Sequence, residues 1–510
     1  MELEIPEDLA VALLGLVGTQ TPLGVQLGAP GAGSGTRVVS SHHFDGHALT
    51  LLYQLGQAQG ARDLVFQLLA LDNLNGEPMV RPIASLELLV PAIIEWLARD
   101  AIDGWLYQRG KDGALLAWLV HSVRLVKPSD GNAYVVVGLL ANTLQAAGRE
   151  PPSDPRLRFA GMTWGLSFYA EDLPGRTLAG LFADQGFFKE CAEFKQEYEA
   201  QVAGFMALQP QFGAQFTASG SAWRAGEGPR AALECFRLPE GAAVRCVNDE
   251  ELLPRRFDLA ADPHYWRECG IASGFDRIPQ HCYLHLFHLD WHRPIWVHAR
   301  NVRPYEYRPA LRDRLVLPQA QRDLIDILTA DRHFLVEDVV RGKSGGTTIL
   351  CRGAPGLGKT LTAEVYAEVV GKPLYRVHSG QLGVSAESVE AQLTAILQRA
   401  ARWDCVLLLD EADVYIRRRD NDLQHNAIVA EFLRTLEYFS GLLFMTTNRV
   451  GDIDDAILSR CIAVIDYLPP GPEDARRLWH TLALQLGVDL PAPLVDELVA
   501  AYPGVSGRDI

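Results

Sequence analysis

The chain has 510 residues, of which 48% are hydrophobic and 22% are charged, and its formal net charge is −16. A chain of this length is too long to fold around one ordinary hydrophobic core, so we expect two to four domains. No basic stripe interrupts the acidic balance, which argues against a protein that wraps nucleic acid, because neutralised phosphates supply most of that affinity.

The cysteine pattern and the start of the chain indicate whether the protein is secreted or stays inside the cell. The eight cysteines are scattered without a CxxC pair, which argues against a zinc ribbon and a secreted disulfide scaffold. The amino terminus begins acidic, unlike a secretory signal peptide. No segment has the ~18 uninterrupted apolar residues needed to span a bilayer. We therefore expect a cytoplasmic protein without a membrane segment.

Residues 1–230 are predicted to form a mixed α/β region. Within it, residues 85–100 and 187–208 show the apolar spacing of helices. Residues 156–169 are strand-like. The segment 209–230 is rich in Gln, Gly and Ser, and we interpret it as a linker or mobile loop.

Residues 231–310 are predicted to be rich in β-strands, because their second half alternates and is rich in aromatic residues. Two histidine groups suggest a metal site, one in HHFDGH at residues 42–47 and one at residues 281–292. A metal needs converging ligands with ordered support. In a strand, His285 and His288 would point to opposite faces, so we interpret both groups as satisfied or surface histidines.

From residue 311 onward, short apolar strands alternate with helical patterns, which predicts a parallel sheet with crossover helices. The sequence GAPGLGKT fits the phosphate-loop pattern GxxxxGK[ST], between a predicted strand and a predicted helix. A helix N-terminus there would direct backbone N–H groups at a polyphosphate. The residues expected to hold ATP are Gly353, Ala354, Pro355, Gly356, Leu357, Gly358, Lys359 and Thr360.

Within this loop, Lys359 is expected to contact the β- and γ-phosphates, and the Thr360 hydroxyl is expected to bind Mg²⁺. A similar sequence, GAPGAGSGT at residues 28–36, lacks the lysine and a clear flanking strand and helix. We interpret its glycines as a flexible turn.

Three further sites follow the phosphate loop. Four apolar residues precede Asp410, which predicts a buried strand that ends in a carboxylate directed at Mg²⁺, with Glu411 beside it to polarise a water. Asn448 ends the next apolar run and could orient that water. Arg460 follows a short predicted helix, and its guanidinium suits transition-state phosphate, although a surface salt bridge is the alternative.

These motifs resemble those of the AAA+ ATPases over about residues 311–510, where they occur in the order GAPGLGKT, LLLDEAD, TTNR, SRC and GVSGRDI. The sequence around them is most similar to that of single-ring members with a long amino-terminal region. The resemblance implies a five-stranded parallel sheet at 311–468, a small helical lid at 469–510 and a ring, commonly a hexamer. It also implies that Asn448 is sensor 1, that Arg460 is an arginine finger completing a neighbour's site, and that Arg508 is sensor 2.

Two features depart from the family pattern. Many ring motors grip a threaded polypeptide with an aromatic residue after the second strand, but this chain offers Leu382, Gly383 and Val384, which could grip only weakly. The second departure is at Ile510, where the family's lid would continue with a further helix.

The main hypothesis is an ATP-hydrolysing ring that remodels a protein partner recognised by residues 1–310. The alternative is a nucleotide-gated switch or scaffold with slow hydrolysis and no threading, for example a sensor in bacterial defence. The missing aromatic favours the switch, whereas Glu411 and Arg460 favour the motor. A nucleic-acid-dependent ATPase fits the acidic balance poorly.

Overall fold

The computed structural model of the protein describes residues 2–28, 35–65, 67–68, 85–144, 161–174, 176–226, 233–241, 244–253, 277–330, 346–383, 385–419, 421–437 and 439–510. Four sheets organise this part of the chain, and each sheet is built from strands that are consecutive in the sequence. In the same residues, every helix is too short or too polar to cross a bilayer.

A small amino-terminal unit pairs two antiparallel strands, β1 (Glu2–Pro6) and β2 (Thr36–Ser40). Its helices are α1 (Glu7–Val17), α2 (Pro22–Gly28) and α3 (Gly46–Ala58). Leucine side chains from these helices and from β1 form one buried cluster, which gives the unit a core of its own.

The glycine-rich segment 28–36 connects helix α2 to strand β2. A phosphate loop needs the opposite order, with a strand before the glycines and a helix after them. Residues 29–34 lie outside the described residues, but the flanking elements agree with interpreting this segment as a turn.

The second sheet is antiparallel, with strand order β6-β5-β4-β3-β7. Its strands are β3 (Trp105–Arg109), β4 (Leu115–Val126), β5 (Tyr134–Asn142), β6 (Gly161–Tyr169) and β7 (Phe187–Lys189). The helices that pack on it are α4 (Leu86–Ala98), α5 (Leu178–Asp184) and α6 (Ala192–Leu208).

The helix predicted over residues 187–208 is therefore too long by five residues. Phe187–Lys189 pair with β3 instead, with Phe188 opposite Tyr107, and the helix begins at Ala192. Phe194 and Tyr198 of α6 still point into the core, as the helical spacing indicates.

The third sheet is antiparallel and has seven strands in the order β10-β9-β13-β12-β11-β8-β14. Its strands are β8 (Gln215–Ala218), β9 (Ser221–Ala225), β10 (Leu233–Arg237), β11 (Val244–Asn248), β12 (Tyr283–His288), β13 (Arg293–His298) and β14 (Val302–Pro304). We call it the β-rich sheet. The interpretation of residues 209–230 as a linker was wrong, because β8 and β9 lie there, and a division at residue 230 cuts through this sheet.

The fourth sheet is parallel, with strand order β16-β17-β18-β15-β19. Its strands are β15 (Thr347–Gly353), β16 (Leu374–His378), β17 (Val406–Asp410), β18 (Leu442–Thr447) and β19 (Ala463–Tyr467). The associated helices are α7 (Gln319–Ala330), α8 (Lys359–Val370), α9 (Ala386–Trp403), α10 (Asp413–Ile416), α11 (Leu423–Leu436) and α12 (Asp455–Leu458).

Helices cover both faces of this parallel sheet. Helices α7 and α8 contribute Ile325 and Tyr366 to the core on one face, whereas α9 and α11 contribute Leu393 and Phe432 to the core on the other. The predicted five-stranded α/β fold, preceded by mixed α/β and β-rich regions, is thereby confirmed. The strand order also brings the carboxyl ends of β15, β17 and β18 to one edge.

The β-rich sheet shares the second of these cores. Val247, Phe287 and Leu289 are buried together with residues of the parallel sheet and of α9. The ring of Phe287 lies 4.9 Å from the ring of Trp403 and 5.8 Å from that of Tyr375. The contact between the two sheets is therefore a packed hydrophobic junction.

The last two helices, α13 (Pro472–Leu486) and α14 (Ala492–Ala501), form the lid. They bury a small cluster of their own, around Ala475, Val495 and Val499, which is separate from both cores of the parallel sheet.

Candidate functional site

Residues 353–360 run from the last residue of strand β15 through a tight loop into the first turn of helix α8, in the strand–loop–helix order that the sequence predicts. Gly353 has a φ angle of 153°, and a Cβ atom on it would lie 2.4 Å from the backbone oxygen of Tyr467. Gly356 has a φ angle of 82°, and a Cβ atom there would lie 2.6 Å from the Ser506 hydroxyl. Glycine is therefore required at both positions for the loop to keep this shape.

Lys359 is directed into the loop. Its Nζ atom donates hydrogen bonds to the backbone oxygens of Gly353 (2.9 Å) and Ala354 (2.7 Å) and to Oδ1 of Asn448 (3.0 Å). Burial lowers the pKa of Lys359 below its usual value, against the raising effect of nearby carboxylates. The ammonium group thus lies between the phosphate loop and the end of strand β18.

Asp410 ends strand β17 beside the start of helix α8. Its Oδ1 atom accepts hydrogen bonds from the hydroxyls of Thr360 (2.8 Å) and Thr446 (2.6 Å), and its Oδ2 atom accepts one from Nη2 of Arg376 (2.6 Å). Burial would raise the pKa of Asp410, but the two hydroxyls and the Arg376 guanidinium outweigh it and hold the pKa below its usual value.

A carboxylate and a hydroxyl this close together are the hard oxygen donors that Mg²⁺ takes in proteins. Thr360 and Asp410, the two residues predicted to hold Mg²⁺, therefore fit that ion in donor chemistry and in proximity.

Glu411 follows directly and has an unusual backbone. Its φ angle is 56°, in the left-handed region that L-residues disfavour, and its backbone N–H donates to the hydroxyl of Thr446 at 3.0 Å. Strain of this kind persists only where surrounding contacts fix it. Here one hydroxyl, that of Thr446, contacts the carboxylate of Asp410 and also fixes the backbone of Glu411.

Asn448 follows strand β18 and completes the inner part of the site. Its backbone N–H donates to Oδ1 of Asp413 at 3.1 Å, and the Thr447 hydroxyl hydrogen-bonds the same oxygen. Since its side-chain oxygen also accepts from Lys359, the amide is held between helix α10 and the phosphate loop.

These groups line one cavity of about 990 Å³. The described residues that line it include Pro355 to Thr360, Asp410, Glu411, Asn448 and Arg508, together with residues of the lid helix α13. Arg508 lies beside the phosphate loop, because a Cβ atom on Gly356 would come within 3.3 Å of the Arg508 Cβ.

Arg460 is not among the described residues that line this cavity. It lies after helix α12, where its Nη1 atom donates to the backbone oxygen of Ala456 at 3.1 Å and its Nη2 atom is 3.8 Å from Oε2 of Glu437. Two ion pairs hold the start of the same helix. Arg419 pairs with Asp454, and the adjacent Arg418 pairs with Asp455.

The expectation that aliphatic residues after strand β16 could grip a polypeptide is wrong for Leu382. Leu382 is 1% exposed and packs in a core of the parallel sheet, so it cannot grip a polypeptide. The backbone oxygen of Gly383 accepts a hydrogen bond from the Tyr415 hydroxyl at 2.9 Å. Val384 lies outside the described residues.

Two histidines of residues 281–292 use their side chains in hydrogen bonds within the fold. His281 hydrogen-bonds the Thr143 hydroxyl and the backbone oxygen of Ala117, and His285 hydrogen-bonds the backbone oxygen of Asp249. In HHFDGH, the Asp45 side chain caps helix α3. The side chain of His42 lies outside the described residues.

Sequence reasoning missed Arg376 and Thr446. Thr446 stands two residues before Asn448, and the alternation of strand β18 was a usable signal for it. Arg376 is a charged residue inside a short apolar strand, which is unusual in a buried parallel sheet. Its contact with Asp410 depends on β16 and β17 being neighbours, which the sequence does not reveal.

The family model for the ATPase family associated with various cellular activities (AAA) matches residues 349–467. Curated relatives also match part of the chain. They are an uncharacterised AAA family ATPase of Sinorhizobium fredii (35% identical, covering 27% of this chain and 44% of the relative), the mitochondrial sorting homologue of Caenorhabditis elegans (26%, 39% and 57%) and CD-NTase-associated protein 6 of Escherichia coli (27%, 30% and 57%).

The chain thus spans about half the length of these relatives. The region matched by the family model begins within strand β15 and ends with β19, so it contains Pro355 to Thr360, Asp410, Glu411 and Asn448, whereas Arg508 and helix α13 lie outside it.

Proposed function

We propose that the chain, which matches the AAA family model over residues 349–467, hydrolyses ATP in the cavity beside residues 353–360 and uses the cycle to remodel a protein partner. The observation that carries this proposal is the convergence of Lys359, Thr360, Asp410, Glu411 and Asn448 on one cavity. Such a set combines a phosphate cradle, a metal-binding pair and a base.

In this proposal each residue has one task. The loop N–H groups and Lys359 bind the phosphates, and Thr360 and Asp410 hold Mg²⁺, which would neutralise charge that develops on the transferring phosphoryl group. Glu411 accepts a proton from the attacking water, and Asn448 orients that water. Arg508 contacts the phosphates from the lid side, which would link nucleotide turnover to movement of the lid.

Arg460 would act on a neighbouring subunit, in a ring that is commonly a hexamer in this family. Its position outside its own chain's cavity supports a role in trans. Head-to-tail contacts that close into a ring bring such a residue to the next subunit's phosphate. An arginine in this role can contribute ~10³–10⁵ to kcat.

The partner would be a protein bound by residues 1–310. These residues lie largely in folded units with their own buried cores, and folded units beside an ATPase domain are suited to recognition. The overall acidic charge argues against nucleic acid as the partner.

A second candidate is a nucleotide-gated switch that changes shape without threading a polypeptide. The burial of Leu382 favours it, because this leucine of the loop that would grip a chain is packed into the core instead. Stimulation of ATP turnover by a partner, together with loss of that partner's native fold, separates the motor from the switch.

The decisive experiment is the solution mass of the Glu411→Gln protein, measured with and without ATP and Mg²⁺ by light scattering. We expect an ATP-dependent shift to about six subunits, with Lys359→Ala as the matched control that binds no nucleotide and does not shift. A protein that binds ATP but stays monomeric or dimeric would contradict the ring and favour the switch. Hydrolysis by Glu411→Gln at the parent rate would contradict the assignment of the base.

A further inference from the structure

Arg376 lies between two carboxylates of different elements. Its Nη2 atom is 2.6 Å from Oδ2 of Asp410, and its Nη1 atom is 3.5 Å from Oε1 of Glu364 on helix α8. The contact with Asp410 is short and well placed, whereas the contact with Glu364 is long. The guanidinium is therefore shared unequally, and a change at Glu364 would alter its hold on Asp410.

Glu364 in turn lines the cavity together with Arg245 of strand β11 in the β-rich sheet. Arg245 itself pairs with Asp290 at 3.5 Å. Burial raises the pKa of Glu364, while the charges of Arg376 and Arg245 act in the opposite direction. Positive and negative groups thus alternate from the β-rich sheet to the end of strand β17.

A second set of contacts joins the same helix to the same sheet. One turn after Glu364, Glu368 accepts hydrogen bonds from the Tyr305 hydroxyl (2.6 Å) and the Arg308 backbone N–H (2.8 Å). Tyr305 directly follows strand β14 and donates its N–H to the backbone oxygen of Gln215 in β8. These contacts fix helix α8 against the β-rich sheet, which keeps Arg245 and Glu364 on the wall of the same cavity.

We propose that Arg376 is a positioning residue of Asp410, and that the β-rich sheet sets its hold on Asp410 through Arg245 and Glu364. The proposal rests on the proposed function, because it assumes that Asp410 holds Mg²⁺ beside ATP. It adds a route by which a partner bound to the amino-terminal regions changes the metal affinity of the ATP site.

The sign of the effect follows from Coulomb's law. A guanidinium on Oδ2 reduces the attraction of Asp410 for a divalent cation, so its loss increases the contribution of Mg²⁺ to ATP binding. Loss of Arg245 leaves Glu364 free to draw Arg376 away from Asp410, which acts in the same direction but less strongly. Without Arg376, the change at Arg245 has nothing to act through.

The test measures ATP dissociation constants by titration calorimetry on the full chain carrying Glu411→Gln, with Mg²⁺ and with EDTA. The ratio of the two constants is the Mg²⁺ contribution. We expect Arg376→Gln to raise this ratio at least about threefold, and Arg376→Lys, which keeps the charge, to stay within about twofold of the parent. Arg224→Gln removes the same charge from the same sheet, at an exposed pair with Glu234, and should leave the ratio unchanged.

The decisive comparison is Arg245→Gln in two backgrounds. It should raise the ratio by about twofold when Arg376 is present and leave it unchanged beside Arg376→Gln, since residues in one charged network are not additive. Equal effects in both backgrounds would overturn the proposal, as would an unchanged ratio in Arg376→Gln.

If Arg376→Gln does not fold, Glu364→Gln replaces it. This variant should lower the ratio, because Arg376 then rests on Asp410 alone, and it should cancel the effect of Arg245→Gln. A raised ratio would overturn the proposal. A parent chain that binds no ATP refutes the proposed function itself, whereas ATP binding with additive effects refutes only the coupling.

Discussion

Replacing Asp249 with Ala should destabilise the junction between the β-rich sheet and the parallel sheet. The Asp249 carboxylate is 5% exposed, and its Oδ1 atom accepts hydrogen bonds from Nη2 of Arg402 (2.7 Å) and Nε1 of Trp403 (2.8 Å). Truncation leaves a buried indole N–H and a guanidinium without this acceptor. The Phe287 side chain packed beside them should then be held less firmly.

The magnitude follows from burial. Breaking a fully buried ion pair costs about 3–5 kcal/mol, and leaving a buried donor unsatisfied costs about 1–3 kcal/mol. Arg402 is 27% exposed, so water can replace part of what it loses. We therefore expect the free energy of unfolding to fall by about 2–3 kcal/mol. Asp249→Asn keeps an acceptor and should lose about half of that.

Urea unfolding followed by tryptophan fluorescence measures this loss, because Trp403 lies in the junction. The matched control is Glu234→Ala, which breaks an exposed pair with Arg224 on the same sheet and should cost about 0–1 kcal/mol. If Asp249→Ala costs no more than Glu234→Ala, the junction does not depend on this carboxylate and the reasoning is refuted.

Three other outcomes are expected at the cavity. Gly353→Ala should raise the ATP dissociation constant at least about tenfold, because its Cβ would meet the backbone of the last strand, whereas Gly451→Ala, with open space around it, should bind ATP normally in calorimetry; equal affinities would contradict this. Thr446→Val should lower kcat about tenfold or more in a phosphate-release assay, because its hydroxyl accepts the backbone N–H of Glu411 and donates to the Asp410 carboxylate, and an unchanged kcat would oppose that role. Arg460→Ala should retain ATP binding and lose turnover, and mixing it with Glu411→Gln chains, which still carry the arginine, should restore part of the activity; no recovery in mixed assemblies would argue against action in trans.

The parallel sheet could be predicted because each strand is a continuous apolar run that leads to a functional residue. Val406 to Leu409 are buried on both faces, and Asp410 stands where the strand ends, as the sequence indicates. The phosphate loop was equally readable, since its glycines and lysine form a dense local pattern between a strand and a helix.

Local sequence patterns did not predict the elements whose structure depends on residues far away in the chain. Residues 209–230 have the composition of a loop, yet β9 is a strand because Trp223 pairs with Trp296 more than seventy residues later. Phe187–Lys189 are too few to show a period, and only their pairing with β3 makes them a strand. The burial of Leu382 likewise comes from tertiary packing that a local pattern cannot express.

The way the hydrophobic cores are divided determines which of the carboxyl-terminal elements can move relative to the others. The lid buries its own cluster around Val495, so it can swing as a unit without exposing the core of the parallel sheet. The β-rich sheet has no such freedom, because Phe287 and Leu289 belong to the core that Trp403 completes. If the lid closes over the phosphate loop, the change in backbone angles would therefore lie between strand β19 and helix α13. The β-rich sheet would move together with the parallel sheet as one body.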